Sequence, residues 1–328
     1  MEPILIAIIV IALIFNFLNG IHDSSNIVAT MISSRSLSPR AALGATALAE
    51  FAGPFIFGVA VAQTIGRDVV NADSVSVEVI LAALVGGILW NLITWRLGIP
   101  SSSSHALIGG ILGATIAGAG WDAVQWAGMK KILLVLFTSP LIGFIFGFIV
   151  LRLVLLLSWN ATPRINGLFK RGQLITGTAL ALSHGANDAQ KTMGIITLAL
   201  ITGGLQTDFT IPLWVIVSCA ATMSIGTATG GWSLIRTLGA KFFRVKPVDG
   251  FASQLASTAV ILGASVLGGP VSTTQVVSST IMGVGAGERA NKVRWGVARD
   301  IAFAWLLTIP CTGLVAAGVY WLLILFVR

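Results

Sequence analysis

Charged residues are scarce in this sequence: Asp, Glu, Lys and Arg make up only 10% of its 328 residues, whereas soluble domains contain about 25%. Hydrophobic residues make up 55%, and the mean hydropathy is +0.93. Because a soluble fold cannot hide that much apolar surface, the composition excludes that class. Apolar runs of about the 20 residues that cross a bilayer recur at 3–18, 41–62, 79–95, 132–157, 211–235, 251–267 and 301–327. The sequence predicts an all-α integral membrane protein with about ten to twelve transmembrane helices.

Cysteine and histidine are also rare. The two cysteines, Cys219 and Cys311, lie in apolar stretches, which excludes a disulfide framework and a thiolate metal cluster. The three histidines lack a Cys or carboxylate at the spacing of a catalytic zinc site. Ser104 and His105 are the only hint of a nucleophile and base, but neighbours in a helix point about 100° apart. We therefore expect neither an enzyme nor a cofactor.

Basic residues exceed acidic ones, 20 against 12, which gives a formal net charge of +8. The cations are spread over short segments between apolar runs, for example at 130–131 and 164–171. Such a distribution is typical of the positive-inside bias of membrane proteins. It argues against nucleic acid as a partner and in favour of a lipid bilayer.

Two polar motifs interrupt the apolar pattern, and each occurs twice. The motif at 19–26, which contains Asp23, is echoed in the second half of the chain around Asp188. A Ser-rich motif at 98–107 is echoed at 268–277. Because the two motifs recur in the same order and at similar offsets, the sequence indicates a duplication.

Interrupted hydrophobic segments at matching positions of two halves are typical of transporters whose site lies between broken helices near the membrane midplane. We therefore expect two inverted repeats, with broken helices at the first motif and a re-entrant hairpin at the second. The expected units are a first repeat over 1–157, a basic linker over 158–172 that needs no structure of its own, and a second repeat over 173–328.

Asp23 and Asp188 each lie in an apolar neighbourhood. A carboxylate in the membrane interior is costly, so each should face a cavity or a bound cation. The alternative is that each aspartate caps the second half of a broken helix. The repetition of the aspartate favours the cation.

The hydroxyl runs 101–104 and 272–274 follow Pro100 and Pro270, and proline is favoured in the first turn of a helix. Helix N-termini carry partial positive charge and free N–H groups, which together bind anions. Two such ends that converge would hold a tetrahedral oxyanion. The alternative is that the hydroxyls only satisfy backbone groups or join helices.

Three further kinds of polar residue lie in apolar surroundings. Glu50 lies midway along an apolar run and is a functional candidate by default. Lys191 directly follows the Asp188 motif and is worth testing. The histidines, His22, His105 and His184, are interpreted as polar wall residues, with proton coupling as a second possibility.

The motifs at 19–26, 100–105, 184–194 and 270–274 resemble the signatures of the inorganic phosphate transporter (PiT) family, and the resemblance covers essentially the whole chain. It implies a symporter that takes up phosphate with a sodium or proton gradient, an inverted-repeat fold and a homodimer. Gln275 stands where the family pattern leads us to expect His, and His22 stands where many relatives have Asn. Because of these departures, the identity of the coupling ion, sodium or a proton, stays open.

From this resemblance we expect phosphate to lie between the hairpin tips, and sodium beside it, since a hard cation prefers oxygen ligands. The expected phosphate ligands are Ser102, Ser103, Ser104, Ser272, Thr273 and Thr274, with Gln190 adjacent. The expected sodium ligands are Asp23, Asn26, Glu50, Asn187 and Asp188. Sodium would be a co-substrate of a multi-pass protein of the cell membrane. The alternatives are a proton-coupled or metal-phosphate symporter and, less favoured, an anion channel.

Overall fold

The computed structural model describes residues 3–97, 101–230 and 245–327. Within these ranges the chain forms eleven α-helices, which confirms the all-helical prediction. In the first half they are α1 (Pro3–Ser33), α2 (Pro39–Phe57), α3 (Ala60–Arg67), α4 (Val77–Leu97), α5 (Ser103–Ala119) and α6 (Trp126–Leu157). In the second half they are α7 (Ile165–Thr202), α8 (Leu213–Thr229), α9 (Pro247–Val266), α10 (Thr273–Glu288) and α11 (Trp295–Val327).

Four helices, α1, α4, α6 and α11, are individually long and apolar enough to cross a membrane. Helices α2 and α3 meet the same criterion together, as one span bent by 77°. The other described helices are shorter or contain more polar residues. Length and apolarity thus identify four or five spans among the eleven described helices, and the expected ten to twelve transmembrane helices stay a prediction.

Helices α1 and α7 lie at the centre of the bundle. Helix α1 packs against α8 and α4, and α7 packs against α2 and α9. The last helix of each half crosses to the other half, because α6 packs on α10 and α11 packs on α5. Only 17% of the apolar window of α6 and 11% of that of α11 is buried. Their apolar side chains therefore face outward, as a lipid-facing surface requires.

The expectation of broken helices at the aspartate motifs is wrong. Helix α1 runs without interruption through Asp23, and α7 runs through Asp188. The glycines of these motifs serve close packing instead. A Cβ at Gly20 would collide with the carbonyl of Met223, and one at Gly185 would collide with the carbonyl of Glu50.

A break does occur between α2 and α3, at Gly58. Its φ of +78° is accessible to glycine and unfavourable for other residues. Pro54, one turn earlier, lies inside α2. The bend of 77° thus follows from local chemistry outside both repeated motifs.

The described residues of the Ser-rich motifs include the N-termini of α5 and α10. Ser102 is the N-cap of α5 and its side chain accepts from the N–H of His105; Ser272 caps α10 and accepts from the N–H of Gln275. Pro270 precedes its N-cap by two positions, so it does not form the first helical turn as expected. Pro100 lies outside the described residues.

The helices after the expected linker (158–172) follow the same order as those before it. Helices α9, α10 and α11 repeat α4, α5 and α6 at a nearly constant offset along the chain. The linker is partly helical, which was not expected, because α7 begins at Ile165, inside the range 158–172. Residues 165–172 continue directly into the central helix, so the helical end of the linker positions α7.

Because Gly185 packs closely against the backbone of α2, adding one methyl group there should lower the stability of the protein. We expect Gly185→Ala to destabilise the protein by about 1–3 kcal/mol, because the Cβ has no room against the backbone of α2. The matched control is Gly44→Ala on α2, where nothing lies within 4 Å of an added Cβ. Thermal melting in detergent should give a lower Tm for Gly185→Ala and an unchanged or higher one for the control. Equal Tm values would contradict this account of the helix contact.

Candidate functional site

The two hydroxyl runs, 101–104 before and in α5 and 272–274 before and in α10, meet in the interior of the protein, and we call them the hairpin tips. The Oγ atoms of Ser102 and Ser272 are 2.7 Å apart, and both residues are fully buried. Ser104 donates a hydrogen bond of 3.3 Å to the carbonyl of Val271 in the opposite tip. The N-termini of α5 and α10 thus lie side by side, which brings two sets of helix-end N–H groups into one region.

Asp23 of α1 contacts the tip that belongs to the second half. Its Oδ1 accepts hydrogen bonds from Thr274 Oγ1 at 2.5 Å and from Asn26 Nδ2 at 2.9 Å. Asn26 also donates to Thr274 Oγ1, at 3.2 Å. The other carboxylate oxygen, Oδ2, is buried and has no hydrogen-bond partner among the described residues.

Asp188 of α7 contacts the same tip and a lysine. Its Oδ2 accepts from Thr273 Oγ1 at 2.9 Å and from Asn19 Nδ2 at 3.3 Å. Its Oδ1 accepts from Lys191 Nζ at 2.6 Å. Both oxygens of this carboxylate are therefore satisfied by the protein.

His184 lies among three carboxylates. Its Nδ1 is 2.9 Å from Glu50 Oε1, and its Nε2 is 3.4 Å from Asp188 Oδ2 and 3.7 Å from Asp23 Oδ2. Neither ring nitrogen forms a hydrogen bond within the described chain. Glu50 is held from its other side by Thr227 of α8, whose Oγ1 donates to Oε2 at 2.5 Å. We call Asp23, Glu50, His184 and Asp188 the carboxylate cluster.

The carboxylate cluster has the chemistry of a cation site. Ligand atoms of Asp23, His184 and Asp188 all lie within 4.8 Å of one another. Buried oxygens without a hydrogen-bond partner in the described chain include Asp23 Oδ2, Glu50 Oε1 and Asn19 Oδ1. Because buried polar atoms are almost always paired, these oxygens are available to a ligand. Oxygen donors of this kind suit a hard cation.

The predicted site residues are not all brought together. Ser102, Ser103, Ser104, Ser272, Thr273 and Thr274 lie at the tips. Asp23, Asn26 and Asp188 form hydrogen bonds with them, whereas Glu50 contacts His184 and Thr227. Gln190 is directed to the α2–α3 break, where its Oε1 accepts from the N–H of Val61 at 2.8 Å and its Nε2 donates to Gly58 O at 2.5 Å. The expected place of Gln190 beside phosphate stays a prediction.

The amide nitrogen of Asn187 contacts the turn of the second hairpin. Its Nδ2 donates to Ser265 Oγ at 2.8 Å and to Gly269 O at 3.2 Å, which ties α7 to the turn of the second hairpin. Its Oδ1 is buried and lacks a hydrogen-bond partner in the described part of the chain.

Three residues of the site were not predicted as ligands: His184, Lys191 and Thr227. A signal existed for His184, which precedes Asp188 by four positions and therefore shares its helix face. The other histidines have separate surroundings: the His22 ring lies tilted against Trp95, with the ring centroids 6.1 Å apart, and His105 Nδ1 lies 3.0 Å from Ser102 Oγ.

Gln275, where the sequence departs from the family pattern, contacts the ring of His105. Its Nε2 lies 3.3 Å from the ring nitrogens. The pair therefore joins α5 to α10 directly behind the tips.

The chain is similar to known proteins over nearly its whole length. The model of the "Phosphate transporter family" matches residues 19–163 and again 156–316. A "Probable low-affinity inorganic phosphate transporter" of Bacillus subtilis (strain 168) is 45% identical over 324 residues, covering 97% of this chain and 96% of the relative. One of the same description from Rhizobium meliloti (strain 1021) is 42% identical over 323 residues, covering 97% and 96%.

A solved structure described as "The sodium-dependent phosphate transporter" superimposes with a TM-score of 0.91 at 25% identity, covering 98% of this chain and 99% of that one.

Proposed function

The chain belongs to the phosphate transporter family, and from that premise we propose that it takes up inorganic phosphate together with sodium ions across the cell membrane. The observation that carries the proposal is the meeting of Ser102 and Ser272, 2.7 Å apart, beside the helices that bear Asp23 and Asp188. The proposed anion site and the proposed cation site are thereby adjacent.

Phosphate is proposed to bind between the tips. The hydroxyls of Ser102, Ser103, Ser104, Ser272, Thr273 and Thr274, with the first N–H groups of α5 and α10, are the donors. The Ser102–Ser272 hydrogen bond must then be replaced by bonds to the anion. The hydrogen bonds that Ser104, Thr273 and Thr274 donate to the protein must likewise be exchanged for bonds to the anion.

Sodium is proposed to bind in the carboxylate cluster, with Asn26 and Asn187 as further candidate ligands. Asp23 Oδ2 and Glu50 Oε1 are buried carboxylate oxygens that a sodium ion would satisfy. A buried dianion and its cations each lower the electrostatic cost of binding the other. By linkage, sodium then raises the affinity for phosphate, and phosphate raises the affinity for sodium.

Transport is proposed to proceed by alternating access of two inverted repeats. The matched order of helices in the two halves and the crossing of α6 and α11 support this proposal. The motion would be a rocking of one bundle against the other around the fixed site.

Labelled-phosphate uptake into proteoliposomes tests the function and its coupling. At fixed pH, an inward sodium gradient should drive uptake, and replacement of sodium with choline should abolish it. Uptake that persists in choline and is lost with a proton uncoupler would instead support proton coupling, for which the contact of His184 with three carboxylates is the relevant observation. Phosphate equilibration without any cation gradient would support a channel.

The tip serines predict a defect in affinity. We expect Ser102→Ala and Ser272→Ala each to raise the KM for phosphate about tenfold, because a hydrogen bond to a charged group is worth about 1.5 kcal/mol. The matched control is Ser38→Ala, which removes an N-cap of the same kind from α2. Initial rates at varied phosphate should give an unchanged KM in the control. An unchanged KM in both tip variants would contradict the proposed phosphate site.

A further inference from the structure

The two halves place different residues at one equivalent position. Asn26 and Lys191 are separated along the chain by the same offset as Asp23 and Asp188, since each follows its aspartate by three positions. Each side chain donates to that aspartate, with Asn26 Nδ2 at 2.9 Å and Lys191 Nζ at 2.6 Å.

Each side chain also contacts a hydroxyl in the hairpin tip of the other half. Asn26 donates to Thr274 Oγ1 at 3.2 Å, and Lys191 donates to Ser104 Oγ at 2.6 Å. Ser104 and Thr274 occupy matching positions of the repeated Ser-rich motif, each two positions after its N-cap serine. The two arrangements are therefore counterparts, and the difference between them is an amide in one and an ammonium in the other.

The Lys191 ammonium is completely satisfied by oxygen. Besides Asp188 and Ser104, it donates to the carbonyl of Val271 at 2.7 Å. An ammonium has three N–H donors and here has three oxygen acceptors. Lys191 is only 3% exposed, so the bonds lie away from water. No donor remains for phosphate in this arrangement, which makes Lys191 a poor candidate for a direct phosphate ligand.

The carboxylates differ accordingly. Asp188 has hydrogen bonds on both oxygens and a fixed positive charge at 2.6 Å. Asp23 keeps Oδ2 without a hydrogen-bond partner in the described chain, and the ionisable group that faces this oxygen is the His184 ring at 3.7 Å. A mobile cation is therefore needed more at Asp23 than at Asp188.

We propose that Lys191 Nζ is a tethered cation that takes the place of one exchangeable cation, so that the Asp188 half binds none and the Asp23 half binds the exchangeable ion. An ammonium is a compact point charge, as a sodium ion is, and its ligands here are a carboxylate, a hydroxyl and a carbonyl. Lys191 then limits how many cations move with each phosphate. This inference rests on the proposed function, which it makes more specific.

Sodium binding to purified protein tests the inference. The probe is ²²Na⁺ binding measured at saturation, with Lys191→Asn compared with the wild type. Because the variant gives the second half the same side chain as the first, we expect it to bind one more sodium ion per chain. The extra ion should be lost in the double variant Asp188→Asn/Lys191→Asn. Equal sodium stoichiometry in the folded variant and the wild type overturns the proposal.

The converse substitution provides an independent arm. Asn26→Lys introduces a tethered ammonium beside Asp23, so sodium bound by the wild type should be lost. If Lys191→Asn does not yield monodisperse protein, Lys191→Gln, whose side chain is closer in length to lysine, carries the same expectation of one added ion. Unchanged sodium stoichiometry in Lys191→Gln would overturn the proposal equally.

Failure of the proposed function is distinguishable from failure of this inference. Wild-type phosphate uptake under a sodium gradient reports on the function alone. The difference in bound sodium between Lys191→Asn and the wild type reports on the tethered cation, whether or not the wild type is driven by sodium.

Discussion

Replacement of Asp23 with asparagine is expected to abolish sodium-driven phosphate uptake while the protein still folds. Asp23 supplies a buried carboxylate oxygen that lacks a hydrogen-bond partner in the described chain, so its charge is available to the transported cation. Loss of a charge-assisted ligand worth about 3 kcal/mol lowers the initial rate about 100-fold. The hydrogen bond from Thr274 can be kept by the amide oxygen of the variant, which is why stability should change little.

Asp300→Asn is the matched control for this experiment. Asp300 lies on α11 with 74% of its side chain exposed, and its ionic contact is with the neighbouring Arg299. Uptake by this control should equal that of the wild type. Wild-type uptake by a folded Asp23→Asn variant would remove Asp23 from the cation site.

Replacement of Asp188 with asparagine is expected to destabilise the protein and to impair uptake, because Asp188 accepts hydrogen bonds from Lys191 and from Thr273 of the proposed phosphate site. The variant leaves the Lys191 ammonium buried without its carboxylate, and such an uncompensated charge costs about 3–5 kcal/mol. Thermal melting should therefore separate the two aspartates, with a clear loss of Tm for Asp188→Asn and little loss for Asp23→Asn.

The double variant Asp188→Asn/Lys191→Met controls for the origin of that loss. It removes both charges, so no unpaired ion is buried, and it should recover much of the Tm without recovering uptake. A Tm for Asp188→Asn equal to that of the wild type would contradict a buried ion pair at this position.

The sequence alone predicted correctly which segments of the chain meet. Two motifs repeated in order predicted that the hydroxyl tips and the aspartates share one region, and Ser102, Ser272, Thr274 and Asp23 do lie within hydrogen-bond distance of one another in pairs. This succeeded because a charged or strongly polar residue in a membrane helix must find a polar partner, and the repeated motifs hold most such residues.

The sequence was not sufficient to predict where individual side chains point. Gln190 is polar and near Asp188 in sequence, yet it caps the N–H groups of α3, which were exposed by a break at Gly58 that the motifs do not mark. The sequence also led us to expect broken helices at Gly20 and Gly185, where the helices are in fact continuous. These glycines are needed because a neighbouring helix packs closely against them, and the local sequence does not show which helix will be the neighbour.

The most direct test of the central claim, that phosphate and sodium occupy one shared pocket, is equilibrium binding of labelled phosphate to purified protein with sodium or choline. Sodium should tighten phosphate binding to the wild type and have no such effect on Asp23→Asn. Phosphate binding that is equally tight in choline, or a sodium effect that survives in Asp23→Asn, would contradict the account.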